Sequence, residues 1–283
     1  MLPIYGMFSH HYIYNSVNDD FIILLYKNEL SMRKRIVIGD PHGRWGFVKQ
    51  AYDKEQPDEV IILGDYFDSF HIQPEDQRDC YDNIINLRKE HIKKKKGNKF
   101  IMLIGNHDMH YMDENFGRCS GWNAYTCSLA MFRLCRDWDA EILKMCYIDE
   151  LNSTIYSHAG ISQAWFDTWC QKSLGNVNTL ATKAFVFTYR EGGDSYGSSI
   201  YSSPLWLRPE GLKKSPLVEY INDEGEVYCW NQVFGHTEPD TPMRWEQNNG
   251  TFYGIDCIYK HYLVQEIGDD GIITKTYLGN IQE

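Results

Sequence analysis

Five short runs constrain this chain of 283 residues more than any other feature: Gly39-Asp40-Pro41-His42-Gly43, Gly64-Asp65-Tyr66-Phe67-Asp68, Gly105-Asn106-His107-Asp108, His158-Ala159-Gly160 and Gly235-His236-Thr237. Each follows a short apolar, β-branched stretch that reads as a strand: RIVIGD, VIILGD, FIMLIGN, TIYSH and NQVFGH. Taken singly, a Gly-Asp after a strand is a turn, with Gly supplying unusual φ and Asp capping the next segment. Repeated five times, the pattern puts an Asp, Asn or His at one strand end after another, where α/β sheets bind their ligands. Asp40, His42, Asp65, Asn106, His158 and His236 would then converge on one edge. That donor set suits two divalent metal ions with one carboxylate bridging them, and paired metals point to hydrolysis of a phosphate ester. Mixed oxygen and nitrogen ligation without Cys favours Mn²⁺, Fe²⁺ or Zn²⁺ over Ca²⁺, with Mn²⁺ the first expectation and Fe or Zn the alternatives.

The rest of the composition narrows the class. A chain of this length can bury a sizeable core. No apolar stretch approaches the ~20 residues needed to span a bilayer, and Phe21 to Tyr26 is too short and lacks the flanks of an export signal. A cytoplasmic protein without a membrane partner is therefore expected. The eight cysteines include no C-x-x-C pair and read as reduced, mostly buried apolar residues. A formal charge of −11 argues against nucleic acid as a non-specific partner. The one counter-signal, Lys93 to Lys96 with Lys99, closes a helix, where cations complement the dipole.

Along the chain, residues 1–31 stand outside the motif pattern as an N-terminal extension. Met32 is an alternative start, or the segment adds a hairpin or helix to the core. Residues 32–283 read as one domain. From Arg35 to Asn106 strands alternate with helices, at about Trp45 to Lys54 and about Pro74 to Lys96, giving a βαβαβ unit with a parallel sheet. A helical stretch at about Trp122 to Met145 would bury Ala124, Cys127, Met131, Leu134 and Cys135. A strand covers Thr154 to Ser157, followed by a helix near Gln163 to Lys172. Residues 163–230, with the Gly/Ser-rich stretch Glu191 to Ser199, form the variable, substrate-side part. Trp230 to Leu278 reads as consecutive strands joined by turns at Asn248-Asn249-Gly250 and Gly268 to Gly271, expected to build a second sheet packed on the first.

The five runs resemble the blocks of the calcineurin-like metallophosphoesterase superfamily, in particular its bacterial and phage phosphoprotein-phosphatase-like branch, which reads GDxHG, GDxxDRG, GNHD or GNHE, HGG or HAG, and GHT. The resemblance spans about Ile36 to Ile267. It implies an α/β fold, a four-layer α/β/β/α sandwich of two packed mixed β-sheets flanked by helices. It also implies a metal-dependent phosphatase. His107 resembles the family's proton donor to the leaving oxygen, and Asp68 matches the carboxylate that orients it. The second block departs from the pattern, with Ser69-Phe70 where Arg-Gly is usual, so a phosphate-holding Arg is missing there. Arg208, in LWLRP, resembles the phosphate-contacting Arg of the bacterial LLWxR segment, and Arg44 follows Gly43 directly. Asp256, in Gly254-Ile255-Asp256-Cys257, resembles the Asp of the strand after the GHT block and would steady a metal-bound His or an Arg. His71 and His110 are expected as exposed polar loop residues.

The leading expectation is a phosphomonoesterase acting on a phosphoprotein or small phosphate ester. A phosphodiesterase or nucleotide or dinucleoside polyphosphate hydrolase is the alternative, because related branches cleave such substrates. A non-catalytic scaffold would be expected to lose metal ligands, and here all six positions are filled.

Overall fold

Ile36, Val37, Ile38, Val60, Ile61 and Ile62 have no polar face, so their two strands must be covered on both sides. In the computed structural model they are. β1 (Arg33–Ile38), β2 (Glu59–Ile62) and β3 (Lys99–Leu103) pair in parallel, joined by α1 (Trp45–Glu55) and α2 (Pro74–Lys94). The structure describes residues 32–113, 116–180, 197–239, 241–256 and 259–281. The expectations for residues 1–31 and for most of the Gly/Ser-rich stretch lie outside these residues.

α3 (Asn106–Met112) and α4 (Ala124–Asp139) follow β3, then the short β4 (Leu143–Lys144) pairs beside it in parallel. β5 (Cys146–Asp149) and β6 (Thr154–Ser157) open the second sheet as an antiparallel pair. Next come α5 (Gln163–Trp169), α6 (Gly175–Thr179), α7 (Pro209–Lys214) and a two-stranded ribbon of β7 (Val218–Ile221) and β8 (Val227–Cys229). β9 (Asn231–Phe234), β10 (Met243–Gln247) and β11 (Gly250–Gly254) complete the second sheet, in the order β10-β11-β9-β6-β5. β12 (His261–Ile267) and β13 (Ile273–Asn280) return to the first sheet, whose order is β13-β12-β1-β2-β3-β4.

Both sheets are mixed. Their inner faces meet through Val37, Ile61, Leu63 and Leu103 on one side and Tyr156, Val233 and Ile255 on the other. Outside the first sheet, α1, α2 and α4 bury Val48, Ala51, Tyr81, Ile84, Ala130 and Leu134. Outside the second, Trp165, Phe166 and Val177 of α5 and α6 pack with Ile155 and Leu205. The helix/sheet/sheet/helix layering implied by the resemblance is what the chain adopts.

Two details differ from expectation. The C-terminal strands do not all join the second sheet: β12 crosses to pair antiparallel with β1, Val37 opposite Leu263, and so covers an edge that would otherwise be open. α4 is shorter than expected and is turned. Its buried positions are Thr126, Ala130, Leu134 and Asp137, while Ala124 and Met131 are exposed and Cys127 and Cys135 only half-buried. Small side chains at 126 and 130 let α4 lie close on α2, and Asp137 accepts a hydrogen bond from the Tyr81 hydroxyl at 2.8 Å. Hydrophobic spacing alone favours Cys127, Met131 and Cys135, one position round the helix from Thr126, Ala130 and Leu134.

Candidate active site

The parallel runs β1-β2-β3 and β6-β9 end along one edge, and each end delivers a polar side chain. Asp40 and Asp65 follow β1 and β2, Asn106 opens α3 after β3, His158 follows β6 directly, and His236 lies two residues beyond β9. Tight chain reversals aim these groups. His42, Asp65, Asp68 and His236 all have left-handed φ, between 43° and 67°, a strained setting for side-chain-bearing residues that costs on the order of 1–3 kcal/mol each. Asp108 holds the reversal at Asp65 in place. Its buried carboxylate accepts the backbone N–H groups of Asp65 (2.7 Å), Tyr66 (2.9 Å) and Gly105 (3.0 Å).

Asp65 lies between two groups of donors. Its Oδ2 is 3.8 Å from His42 Nε2 and 3.5 Å from His158 Nε2, and its Oδ1 accepts the His107 backbone N–H at 2.8 Å. Asp40, His42 and Asp65 can bring one atom each within 4.8 Å of one another. On the other side, Asn106 Oδ1 is 2.8 Å from His158 Nε2 and 3.0 Å from His236 Nδ1. His158 Nδ1 is 3.0 Å from the Leu63 carbonyl, so its proton belongs there and the Nε2 lone pair faces the lone pairs of Asn106 Oδ1, two acceptors with no proton between them. Asp40 Oδ2 accepts the His236 backbone N–H at 2.9 Å, while its buried Oδ1 has no hydrogen-bond partner.

The electrostatics fit a cation. Burial, then the nearby carboxylates of Asp256 and Asp65, pushes Asp40 well above the usual carboxylate range. Burial pushes Asp65 the same way, with Asp108 and Asp256 adding to it. Burial lowers His42 to about 4 and His158 to about 3, so both imidazoles stay neutral with their lone pairs available. Buried carboxylates, facing lone pairs and the orphaned Asp40 Oδ1 make a donor set that two divalent ions would satisfy.

His107 lines the cleft beside these residues, and its Nδ1 is 2.8 Å from Asp68 Oδ2. Burial alone would lower this imidazole, but the Asp65 charge and the Asp68 hydrogen bond outweigh it and hold its pKa above the ordinary value. The cleft encloses about 610 Å³. Arg208, Arg44 and Asp256 line it with Glu238, Phe70 and Tyr259. Arg208 Nη1 donates to the His236 carbonyl (3.3 Å) and to Thr237 Oγ1 (3.2 Å), and the Arg44 guanidinium lies 3.4 Å over the Tyr259 ring. Burial and Glu238 raise Asp256 to about 7, against the pull of both arginines.

The structure thus gathers all eleven residues singled out by sequence. It corrects one expectation: His110 is not an exposed loop residue but lies 3% exposed on α3, with Nε2 2.8 Å from Asp68 Oδ2. His71 is exposed as expected, at the cleft mouth. Sequence reasoning missed Asp108, although it is the last residue of the Gly105-Asn106-His107-Asp108 run. It also missed Gln77, whose Oε1 accepts the Asp68 backbone N–H at 2.8 Å and which carried no motif signal.

The family model for calcineurin-like phosphoesterases matches residues 34–252. The chain belongs to that family. Among solved structures, it is similar in fold to a cold-active protein-tyrosine phosphatase of a psychrophilic Shewanella species, with 15% identity, TM-score 0.55, and 88% of this chain and 80% of that one covered. It is also similar to a protein serine/threonine phosphatase from Saccharomyces cerevisiae, with 13% identity, TM-score 0.52, and 89% and 80% covered. At such identities the likeness is one of fold. No curated protein sequence matches the chain. Among the described residues, no helix is long and apolar enough to cross a membrane.

Proposed function

We propose that this phosphoesterase is a dimetal phosphatase that hydrolyses phosphate monoesters, either a phosphoprotein or a small phosphate ester. The observation that carries the reading is the position of Asp65 Oδ2 between His42 Nε2 (3.8 Å) and His158 Nε2 (3.5 Å), where one carboxylate reaches both ligand groups. Asp40 and His42 would hold one ion, Asn106, His158 and His236 the other, and Asp65 both. Two such ions would supply a clamp on the phosphoryl oxygens and activate a water for in-line attack. The donor set suits Mn²⁺, with Fe²⁺ or Zn²⁺ also compatible.

The chain's own groups do the rest. Arg208 and Arg44, in place of the Arg missing at Ser69-Phe70, bind the phosphate from the cleft wall. His107, with Nδ1 on Asp68, turns Nε2 toward the leaving oxygen and gives it a proton, which matters most for a poor leaving group. Asp256 steadies Arg208 by charge. A phosphorylated substrate and the cytoplasm, where the seven described cysteines would stay free thiols, complete the reading.

The test is hydrolysis of p-nitrophenyl phosphate and bis(p-nitrophenyl) phosphate by metal-stripped protein, with and without Mn²⁺. We expect Mn²⁺-dependent turnover of the monoester over the diester, and at least about a hundredfold loss in Asp65→Asn, equivalent to ~2.7 kcal/mol of barrier. A preference for the diester would make the protein a phosphodiesterase instead. Failure to bind metal at all would sink the dimetal reading.

A further inference from the structure

Resting on that reading, we propose that His110 and Tyr111 are positioning residues for the general acid: together they lock the Asp68 carboxylate onto His107 Nδ1. A carboxylate that holds one imidazole is free to turn about its last torsion, which has a broad well. Asp68 is not left free. Its side chain is fully buried and meets three residues of one helix face, His107, His110 and Tyr111, at spacings of three and four on α3.

His107 Nδ1 and His110 Nε2 each lie 2.8 Å from Asp68 Oδ2, and the Tyr111 hydroxyl donates to Oδ1. The tautomer of His110 is fixed from its far side: the Cys119 backbone N–H donates to Nδ1 at 3.0 Å, so the proton sits on Nε2, facing Asp68. The His110 contact is short but bent away from the line of an ideal hydrogen bond, and no other acceptor satisfies that buried nitrogen. Gln77 fixes the backbone beneath, its Oε1 accepting the Asp68 N–H at 2.8 Å. Oδ1 is thereby tied down by Tyr111 and the backbone by Gln77, while the His110 ring, in contact with Oδ2, blocks rotation of the carboxylate on that side. The His107 ring is left in one orientation, with Nε2 free for the cleft.

The consequence is chemical. As the phosphorus–oxygen bond breaks, the proton on His107 Nε2 passes to the leaving oxygen, the imidazole becomes neutral, and Asp68 remains a carboxylate. The next proton comes from solvent. A general acid that loses its aim fails where the leaving group most needs a proton. An alkyl phosphate, which would depart as a basic alkoxide, should suffer much more than p-nitrophenyl phosphate, whose phenolate leaves without help.

The experiment measures kcat and KM of Mn²⁺-loaded wild type, Tyr111→Phe, His110→Ala and His110→Gln on p-nitrophenyl phosphate and on a simple alkyl phosphate. Tyr111→Phe keeps the ring and its packing, so it reports on the donor alone if His110→Ala folds poorly. We expect kcat on the alkyl ester to fall about tenfold or more in Tyr111→Phe and His110→Ala, within the 10²–10⁴ that general acid catalysis supplies. On the aryl ester kcat should fall no more than about threefold, with KM near wild type for both. His110→Gln, which returns an N–H donor near the Nε2 position, should recover most of the alkyl activity. An equal fall on both esters, or no fall on either, overturns the positioning role. Wild type active on the aryl ester alone also overturns it, because no proton donation is then at work. Inactivity of wild type on both esters would instead refute the monoesterase itself.

Discussion

Gly105 and Gly235 show how little room there is around the Asp65 and Asp40 carboxylates. A Cβ at Gly105 would lie 1.9 Å from Asp65 Oδ1, and one at Gly235 would lie 2.0 Å from Asp40 Oδ1. The carboxylates therefore sit where only a hydrogen atom fits between them and the neighbouring backbone, which explains the glycine ahead of Asn106 and of His236. Neither position needs a left-handed φ, so close approach is the reason for glycine here. Gly235→Ala should displace Asp40 and weaken Mn²⁺ binding by tenfold or more, about 1.4 kcal/mol. Calorimetric titration of the metal-stripped variant checks this, and wild-type affinity would refute it. Circular dichroism should remain native, because the clash falls on a side chain and not on the sheet.

At the scale of elements, α1 and α2 are stitched together by a histidine that serves structure alone. His91 is buried on α2, where its Nδ1 is 2.9 Å from the Tyr52 hydroxyl of α1 and its Nε2 is 3.1 Å from the Asp58 carbonyl. The carbonyl can only accept, so the proton sits on Nε2 and Tyr52 donates to Nδ1. Burial holds this imidazole below the ordinary His value. A depressed folded-state pKa means that the unfolded chain takes up the proton first. His91 thus contributes stability that is full above about pH 6.5 and is lost as the pH falls through the folded-state value. Urea midpoints of wild type and His91→Leu at pH 7.5 and pH 5.5 should show a larger acid-induced drop in wild type. Parallel drops would mean that His91 does not carry this pH dependence.

Over the whole molecule, the two sheets are clasped at the end away from the cleft by one buried cation. Arg35 on β1 is 2.7 Å from Glu59 on β2 and 2.8 Å from Asp149 on β5, and it donates to the Tyr156 hydroxyl of β6 at 2.7 Å. Gln265 on β12 accepts from that same hydroxyl at 2.7 Å. Removing the guanidinium leaves Asp149 without its ion-pair partner and Glu59 Oε2 without its own, although Arg33 still pairs with Glu59 Oε1 at 2.8 Å, so Arg35→Met should cost about 3 kcal/mol, read from chemical denaturation. A cost below about 1 kcal/mol would show that Arg33 and Lys99, at 2.8 and 3.3 Å from Glu59, together with water, satisfy the carboxylates without Arg35. The clasp at one end and the ligand edge at the other both draw on both sheets, which ties site geometry to the packing between them.

The sequence alone determined the strands that end in Asp40, Asp65, Asn106, His158 and His236, because a run of Val and Ile followed by Gly and a polar residue is a local signal. It also determined the βαβαβ order and the two reversals Asn248-Asn249-Gly250 and Gly268 to Gly271, for the same reason. What depends on distance along the chain was not legible there. β12 can be read as a strand, but its choice of β1 over the second sheet rests on which edge is open. The buried face of α4 is set by what α2 presents to it. His110 reads as an ordinary polar residue until α3 brings it, one turn beyond Asn106, against an Asp that lies 42 positions earlier in the chain. Local periodicity encodes elements, but burial and partnership are pairwise properties, and only the tertiary structure fixes the pairs.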